Sequence, residues 1–282
     1  MSEFLAALSE HAFLQNALLA GLLASVACGV VGTYVVIKRI TYLAGAIAHS
    51  VLAGLGAARY LQVVHGLSWL TPMMGAVLAA LLAGLTMGLV SLKAREREDT
   101  VIGAIWALGM ALGVLFIAST PGYAVNLMGY LFGNILLVTP ADLWLMAILD
   151  LVVLAVGLGR YRQLVAVSFD EEFARLRGVA ADWYYLLLLG MVALTVVLLT
   201  AVVGIVMVIA LLTLPAAIAG RLATRVWQIM AWAVIISMGF TSLGLGLSYQ
   251  PDLPSGAVII LLAVGAYLAA AIGGKVWKKA RP

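Results

Sequence analysis

Ser168-Phe169-Asp170-Glu171-Glu172-Phe173-Ala174-Arg175-Leu176-Arg177-Gly178-Val179-Ala180-Ala181-Asp182 is an island of charge in an oily chain. It carries four acids (Asp170, Glu171, Glu172, Asp182) and two arginines. Directly after it, Trp183–Gly220 has no charged residue, and neither have Leu14–Ile37 or Thr100–Ala141. Crossing a hydrocarbon core of about 30 Å takes roughly 20 apolar residues, so each run holds at least one span. Of 282 residues, 65% are hydrophobic and 10% charged. A water-soluble fold cannot hide that much apolar surface. In lipid the backbone must bond to itself, which leaves helices or closed barrels. No ten-residue alternating pattern favours a barrel. The expected fold class is therefore all-α, a polytopic membrane helix bundle, with the island at a membrane face.

Spans are predicted near 14–37, 42–63, 71–92, 100–118, 140–159, 184–202, 204–220, 227–248 and 256–274. That is nine crossings, or eight or ten if one boundary is misplaced. With alternating spans, 15 of the 16 Lys and Arg fall on one side. They are Lys38 and Arg39; Lys93, Arg95 and Arg97; Arg160, Arg162, Arg175 and Arg177; Arg221 and Arg225; and Lys275, Lys278, Lys279 and Arg281. The positive-inside rule makes that side cytoplasmic, with the N-terminus outside and the C-terminus inside. Arg59 is the exception and can snorkel from a helix end. The net charge of +4 thus follows topology and gives no argument for nucleic acid. Pro121–Thr139 is expected to be a non-crossing outer segment, and Pro251–Gly256 an outer turn. No removable signal peptide is expected at Met1–Phe4. The single Cys28 reads as packing.

As one helix the 38 residues of Trp183–Gly220 would measure about 57 Å at 1.5 Å per residue, too long for a bilayer. Two passes are predicted, divided at Gly204, with the second broken near Pro215. Gly204 and Pro215 are the candidate gate or helix break. Gly84/Gly88, Gly109/Gly113 and Gly129/Gly133 recur at four-residue spacing and let helices approach closely. They read either as ordinary packing or as sliding surfaces of a gate.

Ionisable side chains deep in a membrane are costly and point to function. Two qualify, His49 and Asp150. The helical neighbours of His49 are Gly45, Ala53 and Gly56, a smooth stripe with one imidazole on it. Imidazole binds transition metals and relays protons, or it simply bonds a neighbouring carbonyl. Asp150 is either a pathway carboxylate or a polar lock between helices. His11 and His65 fall on the outer side. There is no His-Glu-x-x-His, no Gly-x-Ser-x-Gly and no nucleotide-binding P-loop, so no enzyme chemistry is expected. In Lys93–Thr100, Asp99 or Thr100 is placed to cap a helix starting near Val101.

In a helix across the island, Phe169, Phe173 and Leu176 share one face, and Gly178 ends it. The acidic first turn argues against a helix lying on an anionic leaflet. A docked protein partner is the better reading.

The spacing Glu172-x-Ala174-x-x-x-Gly178 resembles the ATPase-docking loop of ABC transporter permeases. Leu18–Thr33 with Lys38-Arg39, Ala46–Gly54, Glu98–Gly103, Phe132-Gly133-Asn134, Ser168-Phe169-Asp170 and Val203–Ala217 are similar, in order, to landmarks of the zinc/manganese/iron-type ABC permeases. The resemblance covers residues 13 to 270 and implies a type II-importer-like permease domain over 1–282, with 168–182 as its cytoplasmic coupling segment. It implies coupling roles for Phe169, Asp170, Glu172, Phe173, Ala174 and Gly178, and a metal-pathway role for His49. That family usually has an acid four residues before the histidine and a proline at the place of Ala53. Here Gly45 takes the acid's place.

The expected function is the transmembrane permease of an ATP-driven importer of zinc, manganese or iron in a bacterial or archaeal inner membrane. The resemblance implies a homodimer in lipid, a cytoplasmic ABC ATPase dimer that binds the ATP, and an extracytoplasmic metal-binding protein. The chain itself is expected to hold no cofactor and to hydrolyse nothing, with the metal as its cargo. The alternatives are an ABC permease for a non-metal cargo and a proton-coupled secondary transporter using His49 and Asp150.

Overall fold

The computed structural model describes residues 2–93, 98–121, 138–251 and 253–280. The helices are α1 (Ser2–Glu10), α2 (Ala12–Lys38), α3 (Thr41–Val64), α4 (Pro72–Lys93), α5 (Glu98–Ala118), α6 (Pro140–Gly159), α7 (Tyr161–Phe169), α8 (Glu171–Leu176), α9 (Ala181–Val203), α10 (Ile205–Leu222), α11 (Val226–Tyr249) and α12 (Ser255–Ala280). Among the described residues, eight helices are long and apolar enough to cross a membrane, and α10 adds a shorter apolar helix. Eight of the nine predicted spans are thus long enough to cross, and the remaining one, 204–220, falls on the shorter α10. Most of Pro121–Thr139, including Phe132-Gly133-Asn134 and the Gly129/Gly133 pair, lies outside the described residues, as do Arg95 and Arg97.

Helix α2 sits at the centre, against α11, α10, α6, α9 and α7. It is apolar on every side, which suits a helix surrounded by others. Lipid tails are as apolar as leucine, so helices associate by shape rather than by escape from water. The closest approaches fall on glycines. A Cβ on Gly29 would stand 2.6 Å from the Val234 nitrogen of α11, and one on Gly32 would stand 2.0 Å from the Leu212 oxygen of α10. Helices α3 and α4 cross where Gly54 and Gly75 face each other's carbonyls. Gly109 and Gly113 of α5 meet Ser50, Leu52 and Ala53 of α3, while Gly84 and Gly88 of α4 meet Leu186 and Leu189 of α9.

Several buried hydroxyls are absorbed by their own helices. Ser25 donates to the Gly21 carbonyl at 2.6 Å, Thr33 to Gly29 at 2.7 Å and Ser50 to Ala46 at 3.0 Å. This back-bonding to residue i−4 gives these three hydroxyls a partner without a polar neighbour on another helix. The outer helices keep apolar faces uncovered, among them Leu78, Leu82, Leu108, Ile148, Leu151, Leu261 and Ile272.

Three expectations need correction. The helix expected to start near Val101 begins at Glu98, so Asp99 and Thr100 lie inside its first turn rather than capping it. Helix α10 is not broken at Pro215 but runs through it to Leu222. The ring removes only the bond to the Leu211 carbonyl, and the turns on either side hold the helix together. The island is not one helix but two, α7 and α8, parted by Asp170 in an extended conformation (φ −154°, ψ 106°). One element went unforeseen. Helix α1 precedes the first span, with its buried Phe4 edge-on to Tyr249 at 5.8 Å.

Candidate functional site

The island builds a small, well-terminated element. The Asp170 side chain accepts the Phe173 N–H at 2.9 Å and caps α8, and Glu171 and Glu172 favour its positive end. At the other end, Gly178 N–H bonds the Arg175 carbonyl at 2.9 Å and Val179 N–H bonds the Ala174 carbonyl at 3.0 Å. That is a Schellman stop, which needs a left-handed residue. Gly178 supplies it with φ +79°. Ala174 is buried and ties α8 to the bundle, whereas Phe169, Phe173 and Leu176 are 66%, 53% and 86% exposed. Three large apolar side chains therefore stand in the open on a rigid pair of short helices. The Arg177 guanidinium lies 5.3 Å from the Phe173 ring, and Arg175 pairs with Asp182.

Lys38, at the end of central α2, anchors this element. Its ammonium donates to the Val167 carbonyl at 3.2 Å, forms an ion pair with Glu171, and lies 5.5 Å from the Tyr185 ring of α9. Sequence reading took Lys38 as a topology marker and part of a family landmark, with no partner assigned. The two partners are 133 positions apart, and no local pattern joins them.

His49 lies on α3. Its Nδ1 is 2.9 Å from the Gly45 carbonyl oxygen. A carbonyl only accepts, so Nδ1 is the donor in this contact, and in the neutral imidazole Nε2 is the nitrogen with the lone pair. The imidazole stacks on Trp106 of α5, centroids 4.5 Å apart and planes at 29°. Trp106 went unnoticed in the sequence, where it sits unmarked in an apolar run. Asp150 is elsewhere. It is 4% exposed, its Oδ1 has no partner among the described residues, and it sits beside Ala27 and Cys28 of α2. Its helix α6 packs on α2, α9 and α7, whereas His49 faces α5. The structure does not bring His49 and Asp150 to one site. His11 stacks on Phe13 at 5.5 Å and His65 is edge-on to Tyr60 at 6.0 Å. Among the described residues, no three His, Cys, Asp or Glu side chains gather closely enough to hold a metal ion.

Gly204 separates α9 from α10 with φ +76° and ψ 169°. Its N–H bonds the Thr200 carbonyl at 3.2 Å. Below the break, α10 touches both other features: Ile209 lies over Gly45, and the Leu212 carbonyl lies over Gly32.

A helical membrane bundle with a capped, apolar-tipped element on one end, an intramembrane histidine and a broken helix pair has the build of a transport permease. The chain belongs to the ABC 3 transport family, which matches residues 10–274. It is 44% identical over 259 residues to an uncharacterized membrane protein of Synechocystis, covering 92% of this chain and 90% of that one. It is 33% identical over 256 residues to a manganese transport system membrane protein of Halalkalibacterium halodurans, covering 91% and 85%. Among solved structures, PsaBC from Streptococcus pneumoniae in complex with Fab superposes with a TM-score of 0.84 at 28% identity, covering 95% of this chain and 94% of that one.

Proposed function

We propose that this chain is the transmembrane permease of an ATP-driven importer of divalent transition-metal ions, working as one domain with 168–182 as its coupling segment. Manganese comes first among the cargoes, because a relative with 33% identity is named for it; zinc and iron are the other members of the class. The N-terminus is outside and the C-terminus cytoplasmic, as the basic clusters require. A separate cytoplasmic ABC ATPase dimer binds and hydrolyses the ATP. A metal-binding protein delivers the cargo outside. A second copy of the permease completes the pore, and the stripe Ala107, Ala111 and Ala118 on an open face of α5 gives it a small-residue surface to pack on. Lipid covers the remaining outer faces.

The observation that carries this reading is the exposed trio Phe169, Phe173 and Leu176 on helices pinned to central α2 by Lys38. Closure of the ATPase pushes on α8. Lys38 passes that push to α2, the Gly32–Leu212 contact passes it to α10, and Ile209 passes it to the turn below His49. Gly204 is the hinge and gate, where α10 swings against α9, and Pro215 loosens the same helix by freeing a carbonyl. The cargo ion meets the lone pair of His49 Nε2 on its way through. Asp150 serves the pathway at a second point, in the α2–α6 contact beside Ala27 and Cys28. Each nucleotide state of the partner favours one arrangement, so transport is a population shift between two packings.

Two experiments test this. Phe173→Asp puts a charge into the docking face, and the ATPase is expected to stop co-purifying; an intact complex would overturn the docking role. His49→Ala is expected to lower metal uptake into reconstituted vesicles by at least about tenfold, equivalent to ~1.4 kcal/mol of lost stabilisation. Unchanged uptake would remove His49 from the pathway.

A further inference from the structure

We propose that Trp106 is the residue that positions His49 and sets the size and charge of the passage beside it, a reading that rests on cargo passing His49. Three contacts converge there. The His49 ring is held on one edge by the Gly45 carbonyl, 2.9 Å from Nδ1. It is held on one face by the Trp106 indole, 4.5 Å between centroids. A Cβ on Gly45 would lie 3.0 and 3.1 Å from Trp106 Cζ3 and Cη2, and 2.8 Å from Ile209 Cδ1. The indole therefore stands where any side chain of residue 45 would have to go.

The consequence is chemical as well as steric. Residue 45 lies one helical turn before His49, so a donor there would share a cation with the imidazole. In this chain the indole fills that place, and the passage offers an imidazole beside an aromatic face with no carboxylate one turn away. A neutral donor holds a divalent cation more weakly than a carboxylate–imidazole pair does, which favours release over retention. It also works against magnesium, which takes oxygen ligands, more than against transition-metal ions that accept an imidazole nitrogen. The ring is not free to leave. Gly109, less than one turn further along α5, has Ser50 Cα 2.8 Å from where its Cβ would be, so the α3–α5 crossing clamps Trp106 against His49.

Gly45 and Trp106 are thus a matched pair, and the pairing can be measured in the full permease–ATPase complex. Trp106→Phe keeps an aromatic face and is expected to hold the KM for manganese within about threefold of wild type, while Trp106→Leu raises it about tenfold (~1.4 kcal/mol). Gly45→Asp alone is expected to abolish uptake, and Gly45→Asp with Trp106→Ala to regain it at least about tenfold, with weaker discrimination against magnesium. Thermal unfolding of the purified permease gives a readout independent of transport. Gly45→Ala is expected to lower Tm by about 3 °C with Trp106 present and by less than about 1 °C in Trp106→Ala. Wild-type KM in Trp106→Leu, or additive Tm shifts in the pair, would overturn the inference while leaving the role of His49 intact. If His49→Ala transports normally, the pathway reading fails instead, whatever the unfolding cycle gives.

Discussion

Replacing Gly32 with alanine puts a methyl carbon 2.0 Å from the Leu212 carbonyl oxygen and 3.1 Å from its carbonyl carbon. Carbon and oxygen normally rest about 3.3 Å apart or more, so α2 and α10 must separate by roughly 1.3 Å or bend around each other. Neither side can yield cheaply. The obstacle is backbone inside a helix, and α2 is packed by neighbouring helices along its length. Overpacking of this kind costs up to about 3 kcal/mol. Alanine returns about 1 kcal/mol through its better helix propensity. The net loss is about 2 kcal/mol, or a Tm lowered by about 4 °C or more. Gly190→Ala is the matched control. Nothing stands within 4 Å of a Cβ at Gly190, so only the propensity gain remains and Tm should hold or rise. Thermal unfolding of the detergent-solubilised protein reads both. An unchanged Tm in Gly32→Ala, or equal shifts in the two variants, would refute the view that the α2–α10 contact is a hard crossing. The same variant should also slow uptake, because that contact lies on the proposed route from the coupling helices to His49.

Lys38→Met removes the cation beside Glu171. The two side chains are 17% and 27% exposed, between the regimes of surface and buried pairs, so the cost should be about 1–2 kcal/mol. Trypsin should then cut at Arg175 and Arg177 several times faster; unchanged cleavage would show that Lys38 does not hold α8. Gly178→Ala meets no atoms within 4 Å, leaving only the strain of φ +79°, about 1 kcal/mol. Gly178→Asn should cost less, because asparagine tolerates the left-handed region, and equal stability losses in thermal unfolding would count against the Schellman stop.

Much of the bundle could be read along the chain because partition into lipid is a property of each helix alone. The apolar runs marked the crossings, and Gly204 marked the division of a run too long for one of them. Gly178 marked the end of α8, since such a stop is local chemistry. The extended Asp170 was harder: a single side chain capping α8 outweighed the continuous helical pattern on both sides. Pro215 misled in the opposite direction, because a packed helix can lose one hydrogen bond without ending.

The sequence alone determined that the chain is an all-helical membrane protein, where most of its spans begin and end, and which segment carries the densest charge between them. Tertiary structure alone decided that α2 is central, that Lys38 reaches Glu171, that Asp150 sits apart from His49, and that Trp106 occupies the space over Gly45. The reason is physical. In lipid a leucine facing a helix and a leucine facing the bilayer have nearly the same solvation, so hydropathy carries no record of which faces meet. Those choices rest on the shapes of Gly29, Gly32, Gly45 and Gly54 against particular neighbours, and such complementarity exists only once two distant segments are laid side by side.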